Sequence, residues 1–541
     1  MRILPSTGIL SSLRLLCLEK SIPLADCPWQ GFIGVQRSDP FLSSRNKNSW
    51  HVILKILLFG STAISLGLSR NIVLADDASA SSLTINNNPG DNYVTGLRKI
   101  EDGSIISNSH TIKWRIFTDN GKDLFQKGKL DEAEKYFQSA LQEAKIGFGP
   151  RDSHVASACN NLAEIYRARR TFDKAEPLYL EAINILEESF GIDDIRVGAT
   201  LHNLGQFYFL QRKFEQAQKY YERALKIEGR VLGYGHTDYA NTMYHLGMAL
   251  YLQGKEKDSE ALLQESIRIL EENGLGETIT CVRRMRYLTQ MLLKSERLAE
   301  AENLQRKILH ILEISKGWNL PETLSAAEGL AMILQSLERF EEAQELLERC
   351  LDARKNILPH DDIQVAANML HLGRLALLKY NHLRKLEVCD AGRQLDEAKL
   401  LVDNSIRIAK GNVSHAVGSQ QGLQGSRIAE ESAKNRKFAL IILVQSLDFL
   451  RLLITTKSEI PERKSDLSIF RVEVERALHE CISIFQESAA SRNLLLNSED
   501  AKKEYVSCLD HLMNCQLGES KSFEKLKADA QRIKEELSSF S

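Results

Sequence analysis

His202 and His245 are the side chains in this sequence best suited to hold a transition metal, and nine cysteines could supply thiolates or disulfides. A zinc-type site needs at least a third protein ligand, and none stands in a recognisable pattern with the two histidines. The cysteines form no C-x-x-C pair and no zinc-like spacing. The closest two, Cys508 and Cys515, read as free thiols, and Cys159 and Cys350 read as packed ones. The stretch GNVSHAVGSQQGLQGS, Gly411 to Ser426, brings together serine, histidine and glycine, the materials of a nucleophile and its base. No strand precedes it, and no G-x-S-x-G, H-E-x-x-H, G-x-G-x-x-G or G-x-x-x-x-G-K-[ST] occurs in the chain. It reads as a mobile loop over 411–436. The sequence therefore implies a non-enzymatic protein with no metal and no cofactor.

With 43% hydrophobic and 26% charged residues in 541 positions, the chain is of folded, globular type. Its formal net charge of -2 gives no electrostatic basis for a nucleic-acid partner.

The elements that must position any binding residue are set by a repeat of 42 residues. One ladder of small residues runs Ala133, Ala175, Ala217, Ser259, Ala301 and Ala343. A second runs Gly121, Ala163, Gly205, Gly247, Thr289, Ala331 and Gly373, and a third Ala140, Ala182, Ala224, Ser266, Ile308 and Cys350. Large apolar residues keep the same phase at Leu124, Tyr166, Tyr208, Leu250, Leu292 and Leu334, and at Phe137, Tyr179, Tyr221, Leu263 and Leu347. Small residues let two helices approach while large ones fill the space to the next pair, so each unit reads as a helix-turn-helix hairpin. In a seventh unit the first ladder is displaced to Ala398, with an insertion around YNHLRKLEVCD.

Within the second unit, Pro177 falls among helically spaced apolar residues. The register reconciles it if Asp173, in line with Asp131, Glu215 and Glu341, caps a helix over 173–188. Pro177 would then give up only the first intrahelical hydrogen bond.

The stretch LHNLGQFYFLQRKFEQAQKYYERALKI resembles the tetratricopeptide (TPR) pattern, and the longer unit with linkers such as LGYGHTDYA is similar to the TPR array of kinesin light chains. The resemblance covers about 113–410. It implies an all-α superhelical solenoid of about seven units whose first helices line a concave protein-binding groove. In the TPR register, the inward positions are Arg115, Lys122, Asn160, Asn161, Arg167, His202, Asn203, Gln206, Tyr244, His245, Arg283 and Arg286. Amides can pair with the main chain of an extended peptide, and guanidinium and ammonium groups favour a partly acidic one. Asn161 and Asn203, equivalent in adjacent units, are the individual residues expected to hold successive main-chain amides. A light chain also needs a heptad coiled coil ahead of its repeats, which this sequence lacks.

The N-terminus differs in kind. Residues 1–50 carry Arg2, Arg14, Lys20, Arg37, Arg45 and Lys47 against Glu19, Asp26 and Asp39, and are rich in serine and leucine, as an organelle-targeting presequence is. An apolar run from Val52 to Leu68 follows, then NIVLADDASA, which suits cleavage before Asp76. The run could be a retained membrane anchor or a cleaved sorting signal. A mitochondrial address, at the inner membrane or in the intermembrane space, is placed slightly ahead of a chloroplast, thylakoid one. Residues 76–112 read as a flexible linker and 437–541 as a C-terminal helical region capping the array. Within the latter, Asp448 and Arg451 make the apolar stretch from Lys437 to Lys457 a buried helix of the solenoid. The reading is thus an organellar scaffold or assembly factor. The competing one is a cytosolic kinesin-light-chain-like cargo adaptor.

Overall fold

In a computed structural model of the chain, the described residues are 109–385, 391–418, 427–458 and 521–538, with isolated positions between 472 and 510. The expected presequence, the apolar run 52–68 and the linker as far as residue 108 lie outside them.

Among the described residues all 16 elements are α-helices, packed in consecutive pairs. The units are α1 (Ser109–Gln126) with α2 (Leu130–Phe148), α3 (Ser153–Ala168) with α4 (Phe172–Phe190), and α5 (Ile195–Leu210) with α6 (Phe214–Val231). Next come α7 (Thr237–Leu252) with α8 (Glu256–Glu272), α9 (Ile279–Lys294) with α10 (Leu298–Lys316), and α11 (Pro321–Ser336) with α12 (Phe340–Ile357). The last pair is α13 (Ile363–Lys385) with α14 (Ala391–Gly418), followed by α15 (Arg427–Ser458) and α16 (Lys521–Ser538).

The small-residue ladders are the contact lines of these pairs. Ala133, Ala175, Ala217, Ser259, Ala301 and Ala343 are fully buried, as are Ala140, Ala182, Ala224, Ser266, Ile308 and Cys350. The reason for glycine is clearest in two places. A Cβ on Gly121 would lie 2.7 Å from the Phe137 ring, and one on Gly205 would lie 2.6 Å from the Tyr221 ring. Each glycine lets an aromatic ring of the second helix pack directly against the backbone of the first.

The boundaries follow the same period through chemistry that is not uniform. The first helices of units two to seven are preceded by Asp152, Asp194, His236, Thr278, Leu320 and Asp362. The side chains of Asp152, Asp194, His236, Thr278 and Asp362 accept backbone N–H bonds of the first turn, while Leu320 is followed by Pro321, which has no N–H to satisfy. The turn inside each of the first six hairpins places Gly128, Arg170, Arg212, Gly254, Glu296 and Glu338 at positive φ. The next N–H donates back to the carbonyl of Leu124, Tyr166, Tyr208, Leu250, Leu292 or Leu334, at 2.9–3.0 Å. This is the Schellman closure, and it ends the first helix on the apolar residue that the 42-residue phase repeats.

That turn corrects the expected start of the second helix in unit two. Thr171, without a side-chain cap bond, precedes a helix that begins at Phe172 and ends at Phe190. Asp173 is its second residue, where a carboxylate still complements the positive end of the dipole. Pro177 is therefore the sixth residue, and it denies a donor to the carbonyl of Asp173 one turn inside the helix.

Two further differences concern the ends of the array. The first helix begins at Ser109 rather than after 112, with Thr111, Trp114, Thr118 and Gly121 buried along one stripe. The expected loop 411–436 is helical at both ends, in α14 through Gly418 and in α15 from Arg427, leaving 419–426 outside the described residues. The insertion in unit seven extends α13 to 23 residues, against 16 for α11.

The stretch Phe438–Lys457 of α15 is long and apolar enough to cross a membrane, yet 72% of it is buried against the rest of the chain. Ala439, Leu440, Leu443, Val444 and Leu447 join the core of the later units, and Asp448 accepts from Arg451 at 3.0 Å.

Candidate protein-binding groove

All twelve residues expected to face a ligand lie on first helices. Helices α3, α5, α7 and α9 are bridged side to side by their polar groups. Asn203 Nδ2 donates to Asn160 Oδ1 at 3.1 Å between α3 and α5. His202 Nδ1 meets Thr242 Oγ1 at 2.7 Å between α5 and α7. The Gln206 amide nitrogen lies 3.0 Å from His202 Nε2 and 3.2 Å from His245 Nε2, so one amide joins two imidazoles. The Tyr244 and Tyr287 rings pack 5.9 Å apart between α7 and α9.

Exposure divides the set. Asn161 and Asn203 are 1% and 2% exposed, and His202, Tyr244 and His245 are also buried. Asn160, Arg167, Gln206, Arg283 and Arg286 are partly open. Arg115 and Lys122 lie on α1, the former exposed and the latter half-buried, at the start of the row. Arg167 ion-pairs with Glu164 at 2.6 Å, and the Tyr179 hydroxyl donates to the same carboxylate, so the acid nearest the row is fully buried and neutralised.

Charge is divided between the two kinds of helix. Along α5, α7 and α9 stand Arg196, Arg283, Arg284, Arg286 and Lys294, with Asp238 as the single carboxylate. The second helix packed between α7 and α9 is acid-rich, EKDSEALLQESIRILEE of α8. Burial holds the His245 imidazole neutral, its pKa pushed down to about 3, with Arg284, Arg283 and Arg167 adding to the effect. Facing the Gln206 amide nitrogen, Nε2 of each ring is the acceptor, and the other nitrogen of His202, Nδ1, pairs with Thr242, which closes the network. Among the described residues no group of three or more His, Cys, Asp or Glu could hold a metal ion. Cys159, Cys281 and Cys350 are buried free thiols, their pKa values raised to about 12, 11 and 12 chiefly by desolvation.

Sequence reasoning missed Arg284. It is 2% exposed and donates to the carbonyl oxygens of Ala240 and Ser266 at 3.2 and 3.3 Å, and to Asn241 Oδ1 at 3.3 Å. The run RRMR, Arg283 to Arg286, was the available signal, but its middle position falls toward the α7–α8 contact rather than the open face.

Comparison with known proteins places this geometry. Tetratricopeptide-repeat models match residues 115–193 and 196–272, and a further one matches 323–364. No curated protein matches the sequence. Among solved structures, the nearly identical TPR-like repeats assigned to a kinesin light chain from Podosopora anserina are 20% identical, with 38% of this chain and 96% of that one covered and a TM-score of 0.34. PilF of Pseudomonas aeruginosa is 16% identical over 47% of this chain and 95% of its own, at a TM-score of 0.34. The apo form of RapI is 12% identical over 70% and 99%, at 0.41. These likenesses concern the helical repeat fold alone. With 16 helices among the described residues packed in consecutive pairs and TPR matches in both halves of the array, the chain is a tetratricopeptide-repeat protein.

Proposed function

We propose that this protein is a non-enzymatic scaffold or assembly factor that holds an extended, partly acidic segment of a partner protein along its first helices, and that it works inside an organelle. The observation that carries the binding reading is the polar row from Asn160 to Arg286, whose open members are the amides of Asn160 and Gln206 and the guanidiniums of Arg167, Arg283 and Arg286, while the nearest carboxylate, Glu164, is buried and paired with Arg167. An extended peptide presents main-chain groups that amides can pair with, and its acidic side chains find guanidinium partners. The organellar address rests on the basic, serine-rich residues 1–50 and the apolar run that follows. A mitochondrial site, at the inner membrane or in the intermembrane space, stands slightly ahead of the thylakoid.

Affinity capture by the full-length protein from an organelle extract tests the binding reading. Asn160→Tyr, which fills the row, should abolish capture of the partner, whereas Lys219→Tyr on the exposed side of α6 should not. Capture insensitive to Asn160→Tyr would overturn it. Residues 1–80 fused to a fluorescent protein test the address, and a diffuse cytosolic signal would refute it.

A further inference from the structure

The electrostatics between α7 and α9 are unbalanced, and the imbalance has a definite position. Arg284 is a buried cation whose guanidinium nitrogens meet carbonyl oxygens, the Ser266 hydroxyl and the Asn241 amide oxygen, all of them neutral, while its Nε has no hydrogen-bond partner. Burying a cation among neutral dipoles is costly unless a counter-charge arrives. Its immediate neighbour Arg283 is partly open and has no ion-pair partner among the described residues. Helix α9 itself, ITCVRRMRYLTQMLLK, contains no carboxylate. The charged groups that depress the His245 pKa are Arg284, Arg283 and Arg167, so the field they make at that ring is positive. Tyr244 lies under Arg284 at 5.3 Å from the ring centroid, and Tyr287 packs on Tyr244, giving the spot an aromatic wall.

We infer that the face between α7 and α9 is an anion-binding subsite, where Arg283 receives an aspartate or glutamate side chain of the bound segment and Arg284 supplies a fixed positive charge beneath it. The inference rests on the groove reading and locates within it the point at which acidity is recognised. A carboxylate here replaces water around Arg283 with a charge-assisted pair, in a field that Arg284 has already made favourable. A peptide is the source of the carboxylate that fits, because the amides of Asn160 and Asn241 lie along the same row of helices.

The test uses the full-length protein and a fluorescein-labelled peptide of alternating glutamate and serine, with the glutamine-serine peptide of equal length as its neutral counterpart. Fluorescence anisotropy at low ionic strength should show tighter binding of the glutamate peptide. Arg283→Gln should weaken that binding about tenfold, the size expected for one charge-assisted pair. Arg268→Gln, on the exposed side of α8, should leave it unchanged. Because the Arg283 side chain is partly open and without an ion-pair partner, the variant should unfold at the wild-type temperature, so a binding loss would not reflect misfolding. Equal binding of the two peptides, no binding of the glutamate peptide, or wild-type binding by Arg283→Gln would each overturn the subsite. None of these results bears on the capture experiment with Asn160→Tyr, so the subsite can fail while the groove reading stands.

Discussion

Replacing His245 by glutamine should remove a specific part of the protein's acid sensitivity. In the folded chain the ring is buried beside Arg284, Arg283 and Arg167, and its pKa is pushed from 6.5 to about 3. The unfolded chain takes up a proton below pH 6.5, whereas the folded chain resists until near pH 3. The contribution is therefore intact above pH 6.5 and is lost progressively as the pH falls from there towards 3. At about 1.4 kcal/mol per pH unit, the loss between pH 7 and pH 5 is about 2 kcal/mol for this one group. Protonation would also convert the Nε2 that faces the Gln206 amide nitrogen at 3.2 Å from an acceptor to a donor. Glutamine keeps a polar group in the network without titrating. The assay is urea denaturation followed by circular dichroism at pH 7 and pH 5, comparing the drop in stability of wild type with that of His245→Gln. Carboxylates and His371, itself depressed to about 4 by burial, titrate in both proteins and cancel in the difference. The drop should be smaller in the variant by about 2 kcal/mol. Equal drops would mean that His245 is hydrated or ion-paired in solution, and would refute the account of the closed network.

Four other substitutions probe the fold. Gly205→Ala, which sets a methyl 2.6 Å from the Tyr221 ring, should destabilise by about 1–3 kcal/mol in chemical denaturation. Arg170→Gly and Arg212→Gly, at φ of 58° and 61°, should each stabilise by about 0.5–1 kcal/mol, because glycine adopts that conformation without a Cβ clash. Pro177→Ala restores a donor to the Asp173 carbonyl and should raise the thermal midpoint, with a gain of about 1–3 kcal/mol.

The period was legible because packing enforces it. Ala133 and its sisters must be small for two helices to touch, so identity and geometry repeat together. The boundaries were not, because several side chains perform each boundary role. Asp152, His236 and Thr278 all accept a first-turn N–H, and Leu320 dispenses with the cap through Pro321, so no single residue type marks the ladder. At the hairpin turn, Gly128 and Gly254 announce a left-handed residue, whereas Arg170, Arg212, Glu296 and Glu338 conceal one. The register assigned the twelve polar residues to first helices, but exposure depends on how closely the next helix lies. In the folded chain Asn161 and Asn203 are buried, whereas Asn160 and Gln206 stay partly open. Arg284 escaped notice for the same reason: its neighbour Arg283 differs from it by one helical step, which is the difference between an open face and a core.

The central claim is that an extended partner segment lies along the first helices. Site-specific photocrosslinking in intact cells tests it most directly, with the photoreactive residue placed in turn at Asn160 and Asn241 on first helices and at Lys219 and Lys226 on α6. The account predicts one common partner crosslinked from both first-helix positions, and from neither position on α6. Crosslinks confined to the second helices, or different partners from Asn160 and Asn241, would contradict it.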